Sequence, residues 1–283
     1  MDYVKLYKTK SGTVLFHQNS FYASSSSWDV MINRDHLYEY LLQVINKLKP
    51  DVQAKSLIEN ELLPPIHSQE VWAAGVTYFR SKEARMDESK VSGGATFYDK
   101  VYDAERPELF FKSAPHRVVG SGDSVHIRKD SIWNVPEPEL TLFINSTGAI
   151  EGYTIGNDMS SRSIEGENPL YLPQAKTYSQ SAAIGPCLYV PASSISQDTT
   201  IAMEIERAGK IMYKDQVQIN KMKRKHDELA SWLFREIDFL SGCYLMTGTC
   251  LVPPGNFTLA AKDIVSITID EIGTLTNKVG VKK

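Results

Sequence analysis

Three acidic side chains in this sequence have the types and spacing to hold a metal ion. Glu137 and Glu139 stand two apart in VPEPELTLFI (135–144), and Asp158 closes IEGYTIGND (150–158). Pro138 argues against a helix, because its ring removes an amide donor and clashes with the preceding turn. Leu140, Leu142 and Ile144 alternate with Thr141 and Phe143, the period of a strand with one face in a core. Side chains two apart share a strand face, so the glutamates point together, away from the three aliphatic residues. Residues 145–148 (NSTG) have turn composition. If Ile144 pairs with Ala149, the returning strand sets 137 against 156 and 135 against 158, and Asp158 joins the glutamates' face. Three carboxylates on one face repel, and a hard cation with oxygen ligands relieves the repulsion. With no Cys or His among them, the set suits Mg²⁺, Mn²⁺ or Ca²⁺ rather than zinc. A solvated strand face with alternating acids is the other reading, and spacing leaves both open.

The remaining elements must position these acids. A chain of 283 residues has room for one large domain, or for a small one joined to a larger. Residues 1–65 read as a small N-terminal unit: strands near 4–7 and 13–18, then a helix over 34–48 with Leu37, Tyr40, Leu41, Val44 and Leu48 as its apolar stripe. LPPI (63–66) reads as the linker to a second domain, 66–283. That domain opens with a buried strand over 71–78. A charged, helix-prone run (79–90) and an amphipathic one (97–105) then flank Gly93 and Gly94, as a lid or a static cover would. A short strand (108–112) ends in Lys112, and a long irregular segment (159–186) carries Arg162 and Lys176. Pattern alone makes both lysines solvated. Farther on come a hairpin around Ala208 and Gly209, a helix over 223–243 with Leu229, Trp232, Leu233, Ile237 and Leu240 on one face, and a last strand over 264–269.

Composition removes several classes of function. Hydrophobic residues at 42% and charged ones at 23% are ordinary for a soluble globular protein, which excludes fibre and disorder. A net charge of −3 offers no basic footprint for nucleic acid or an anionic membrane. No apolar run approaches the roughly 20 residues that span a bilayer, and the first residues lack a signal pattern, so a cytoplasmic location is expected. Cys187, Cys243 and Cys250 form neither a disulfide framework nor a C-x-x-C site. No dinucleotide fingerprint, P-loop or nucleophile elbow is present.

Taken in order, WAAGVTY (72–78), LFFK (109–112), PEL (138–140), GNDMSSR (156–162), QAK (174–176), IGP (184–186), TGT (247–249) and GTLTN (273–277) resemble the fumarylacetoacetate hydrolase family, from about Leu62 to Val279. The resemblance implies an α+β fold, a mixed β-sandwich or β-roll behind a small N-terminal α/β domain. It implies a divalent metal, usually Mg²⁺, on Glu137, Glu139 and Asp158. It also implies a 2-keto or diketo acid substrate and a homodimer or homotetramer. Lys176 matches the family's active-site lysine and Thr249 a threonine that holds the substrate carboxylate. Tyr78, Ser81, Lys112 and Arg162 are expected to help position substrate. Hydrolases of the family follow Gly-x-x-Tyr with a water-activating His, whereas this chain has Ser81, and His67 and His116 lie outside that segment. The missing base disfavours C–C hydrolysis.

The chain looks most like the family's sugar-acid branch. That likeness implies a lyase of pentose oxidation that dehydrates 2-keto-3-deoxy-D-arabinonate to 2,5-dioxopentanoate through a Mg²⁺-stabilised enolate. Lys176 would polarise the keto oxygen or carry the C3 proton, with Glu83, Glu88 or a metal-bound water as acid for the leaving hydroxyl. Hydrolysis or decarboxylation of another keto acid is the alternative within the family. A sugar-acid-binding protein without chemistry is the alternative outside enzymology.

Overall fold

The computed structural model describes residues 2–80 and 95–283. Its main sheet runs in the order Ser20–Ser24, Gly12–His17, Tyr3–Thr9, Ala182–Pro191, Ile150–Asp158, Pro138–Ile144, Cys243–Met246, Glu70–Gly75 and Glu108–Ser113, and Val118–Val119 pairs off this path with Ala182–Pro191. A second sheet takes the order Lys210–Gln218, Thr200–Arg207, Ile264–Ile269, Gly273–Val281 and Ser124–Ile127. The two sheets close over one core, in which Leu140, Leu142, Ile144 and Ile155 meet Ile205, Ile267 and Leu275. On the other face of the main sheet, Phe143, Ile184 and Tyr244 pack against Trp28, Met31, Leu37 and Leu41 of the helices Trp28–Ile32 and Leu37–Ile45. This is the expected α+β sandwich. The first 65 residues are continuous with it, since Tyr3–Thr9 pairs with Ala182–Pro191. Among the described residues no helix is long and apolar enough to cross a membrane.

Both faces of Pro138–Ile144 are covered, and every residue of the strand is buried, so the half-solvated strand of the sequence reading is corrected. Its pairing is corrected as well. Ile144 faces Ile150, a bulge intervenes before Gly152, and Glu139 faces Gly156. The turn and the bulge each add one residue, a total shift of two. Because strand side chains alternate with period two, Asp158 stays on the glutamates' face.

Three other expectations change. The helix expected over 223–243 is His226–Leu233 only. The chain must then turn to insert Cys243–Met246 between two strands, and it does so at Gly242 (φ +73°), where a Cβ would lie 2.5 Å from the Ile144 carbonyl oxygen. Leu240, expected in the stripe, is 88% exposed. The segment 159–186 is ordered as helices Arg162–Glu167 and Leu172–Lys176 and the strand Ala182–Pro191. Gly273–Val281 follows the strand expected to be last. Of the expected lid, Ala95–Asp103 is a helix, while residues 81–94 lie outside the described residues.

Candidate metal centre and active site

The hairpin brings the three acids together at one end of the main sheet. Glu137 immediately precedes Pro138–Ile144, Asp158 ends the partner strand, and the Asp158 amide donates to the Glu137 carbonyl at 2.9 Å. One carboxylate oxygen from each of Glu137, Glu139 and Asp158 lies within 4.8 Å of the other two, with all three side chains buried.

Cations reach these acids unequally. Glu137 accepts from Arg162 Nη2 at 2.6 Å and Lys176 Nζ at 2.5 Å. Asp158 accepts from Lys176 Nζ at 3.3 Å and also pairs with Lys112 Nζ. Glu139 accepts the Gly248 amide at 2.5 Å. That contact requires glycine: Gly248 has φ +97°, and a Cβ there would lie 2.1 Å from Thr77 Oγ1. Burial, together with the negative charges of Asp158 and Glu137, pushes the Glu139 carboxyl well above the usual carboxylate range. Burial acts in the same direction on Asp158, but Lys112 and Lys176 outweigh it and hold that carboxyl low. Three all-oxygen donors, gathered in a buried site and repelling one another at Glu139, fit a hard divalent cation such as Mg²⁺.

Lys176 ends the short helix Leu172–Lys176, and its three N–H bonds are taken by Glu137, Asp158 and, at 2.6 Å, Ser160 Oγ. Lys112 is the extra residue of a β-bulge, since Val71 faces Ser113 while Trp72 faces Phe111. Its ammonium bonds the carbonyls of Met159 at 3.0 Å and Lys176 at 2.5 Å besides the Asp158 carboxylate. Burial and the nearby Lys176 charge lower its pKa, against the pull of Asp158. Both lysines, which pattern alone made solvated, are fully buried.

A small pocket opens onto the triad. Ala74, Gly75, Val76, Phe110, Gly248 and Thr249 form its wall, and Arg162 and Lys176 line its charged side. Of the residues singled out from sequence, the pocket gathers Glu137, Glu139, Asp158, Lys176, Arg162 and Thr249. Lys112 and Tyr78 are buried but do not line it: Lys112 braces the backbone behind two site residues, and Tyr78 bridges to Met222. Ser81, Glu83 and Glu88 lie outside the described residues. Ser160, Phe110 and Glu108 were not singled out. The Glu108 carboxylate fills the space a side chain on Gly75 would need, 1.9 Å from the Cβ position. Its alternation with Phe110 along the strand was the available signal.

Known proteins resemble this chain in sequence and in fold. The family model described as fumarylacetoacetate (FAA) hydrolase C-terminal matches residues 71–280. A probable 2-keto-3-deoxyxylonate dehydratase of Haloferax volcanii is 46% identical over 81% of this chain and 78% of its own length. A 2-dehydro-3-deoxy-D-arabinonate dehydratase of Saccharolobus solfataricus is 44% identical over 76% of this chain and 73% of its own. A solved 2-keto-3-deoxy-D-arabinonate dehydratase, complexed with magnesium and 2,5-dioxopentanoate, superposes with a TM-score of 0.82 at 33% identity, covering 99% of both chains. The chain belongs to the fumarylacetoacetate hydrolase family.

Proposed function

We propose that this protein is a hydro-lyase that dehydrates 2-keto-3-deoxy-D-arabinonate to 2,5-dioxopentanoate, with Mg²⁺ on Glu137, Glu139 and Asp158. The observation that carries the reading is Lys176 Nζ, held 2.5 and 3.3 Å from oxygens of two triad acids inside a pocket with Arg162 and Thr249 on its wall. The ion, when bound, supplies Lewis-acid stabilisation to a 2-keto acid whose C3 proton is leaving. Freed of its bonds to Glu137 and Asp158, Lys176 can donate to the keto oxygen, and as the neutral amine it can take that proton. Arg162 and Thr249 offer donors for the substrate carboxylate. The C4 hydroxyl departs with one proton as water, and tautomerisation moves the new double bond to give the C5 aldehyde. The acid we assign to that hydroxyl is Glu108, whose carboxylate lies against Gly75 of the pocket wall.

Charge favours an acidic substrate. Glu137, Glu139 and Asp158 against Lys112, Lys176 and Arg162 sum to zero when all are ionised, so a bound dication makes the site positive. C4 is the only stereocentre of a 2-keto-3-deoxypentonate, so the acids derived from D-arabinonate and D-xylonate are one compound. Mn²⁺ or Ca²⁺ as substitutes, a homodimer or homotetramer, a cytoplasmic location and a role in pentose catabolism belong to the same proposal.

The test is metal-stripped protein assayed on 2-keto-3-deoxy-D-arabinonate, with Mg²⁺ then restored, following the aldehyde beside Glu139→Gln. Turnover that returns with Mg²⁺ in the native protein and not in the variant supports the reading. Bound Mg²⁺ without turnover removes the substrate assignment, and release of pyruvate from acylpyruvates transfers the protein to the hydrolase reading.

A further inference from the structure

The strand Glu108–Ser113 puts Phe110 on the pocket wall, Glu108 against Gly75 and Lys112 behind the site, yet among the described residues it is the edge of the main sheet and its ladder is with Glu70–Gly75 alone. A ladder on one side fixes an edge strand weakly, and here a bulge interrupts that ladder. Thr177 Oγ1 also donates to the Phe111 carbonyl at 3.0 Å, and a further constraint comes from a distant part of the chain. Arg224, only 9% exposed, donates Nη1 to the Glu105 carbonyl at 3.0 Å and to Glu228 Oε1 at 2.5 Å. Its Nη2 donates to the carbonyls of Ala104 at 2.5 Å and Val101 at 3.3 Å. Lys223 Nζ takes the Tyr102 carbonyl and Asp103 Oδ1, both at 2.6 Å. Four carbonyls at and just beyond the end of the helix Ala95–Asp103, of which Val101 also accepts the Ala104 amide at 3.3 Å, thus accept from two consecutive cations, which also face the negative end of the helix dipole. Downstream, the Arg106 guanidinium stacks on Trp232 of the helix His226–Leu233, 4.5 Å from the ring centroid. The same short stretch holds the pocket's other flank, because the Lys223 amide donates to the Thr77 carbonyl at 2.9 Å and Met222 bridges to Tyr78.

We propose that Arg224, assisted by Lys223, is a positioning residue for the reaction: it clamps residues 101–105 and so fixes where Glu108 and Phe110 stand in relation to Lys176. This rests on the dehydratase reading for its kinetic consequence only. Arg224 touches no triad residue, so metal binding is independent of it. A planar fork that reaches four acceptors at once is what a lysine cannot reproduce.

The test compares Arg224→Ala and Arg224→Lys with the native protein. The expected result for Arg224→Ala is a fall in kcat of about tenfold or more, in line with the steep cost of small misplacements near reacting atoms, with Mg²⁺ affinity within twofold of native. Guanidinium ions at millimolar concentration restore part of the loss and ammonium ions do not. Arg224→Lys, which keeps the charge, lies between. Amide hydrogen exchange over 101–112 speeds up while exchange over 138–144 is unchanged, a readout that needs no substrate and holds even if the native protein proves inactive on the sugar acid. Native exchange over 101–112 in both variants overturns the proposal. So does a uniform loss of kcat, Mg²⁺ affinity and exchange protection across the whole sheet, which marks Arg224 as part of general stability.

Discussion

Two buried acid clusters in this molecule are built on opposite plans. Asp263 meets Arg207 in a fork, with Nε at 2.7 Å and Nη2 at 2.8 Å, while the Ala260 amide donates to the same carboxylate at 2.8 Å. One acid and one base cancel, both carboxylate oxygens are satisfied, and the pair ties the strand Thr200–Arg207 to the turn before Ile264–Ile269. At the other cluster three acids crowd within 4.8 Å, and the cations are shared unevenly, so that Glu139 faces two negative neighbours with one amide for support. A saturated acid is a structural fixture, whereas an under-compensated buried acid is the arrangement that the proposed metal ion would complete.

The largest effect that would sharpen this contrast is at Glu139. Glu139→Gln should lower Mg²⁺ affinity by more than the roughly 10- to 100-fold that changes behind metal ligands cost, and abolish turnover; calorimetric titration with Mg²⁺ checks it. Lys176→Met should cut kcat by about 10²- to 10⁴-fold, the usual contribution of a placed proton-transfer group. Because it removes a cation that competes for Glu137 and Asp158, Mg²⁺ should bind at least as tightly as to native protein, and weaker binding would make Lys176 a mainstay of the triad's geometry instead.

A third outcome concerns pH. The Glu139 carboxyl is raised by burial and by its acidic neighbours, so below that raised pKa an incoming ion must displace a proton. Apparent Mg²⁺ affinity should therefore fall as pH drops through it, by up to about tenfold per unit for one competing proton, and Glu139→Gln should flatten the profile. The smallest functional effect is expected at the saturated cluster. Asp263→Asn should cost about 1–3 kcal/mol of stability, discounted because the Arg207 side chain is 36% exposed. Its kcat should stay within twofold of native, and chemical denaturation beside the assay separates the two.

Legibility in the sequence followed the range of the interactions involved. The triad could be found because its geometry is local to one hairpin, where alternation fixes the face of each side chain. The turn and the bulge shift the pairing by two residues from a simple hairpin, and an even shift leaves the face unchanged. Lys176 and Lys112 could not be placed by pattern, since a lysine in a loop or at a strand end is normally solvated. Their burial comes from partners 39 residues away at Glu137 and 47 away at Met159. Glu108 was passed over for a similar reason: only the pairing of its strand with Glu70–Gly75 puts its carboxylate against Gly75.

By itself, then, the sequence offered the three acids as hard-cation donors beside the reading of a solvated strand face, and determined the strand alternation that builds two cores and, through motifs kept in order, the family. These follow from residue type and from contacts within a few positions along the chain. Tertiary structure alone decided that the first 65 residues extend the main sheet, that the helix from His226 stops at Leu233, and that Lys112 braces the site from behind. It alone placed Arg224 on the carbonyls that precede Glu108. Each of these depends on segments more than 100 positions apart meeting in space, or on backbone groups whose need for a partner leaves no mark on composition or period.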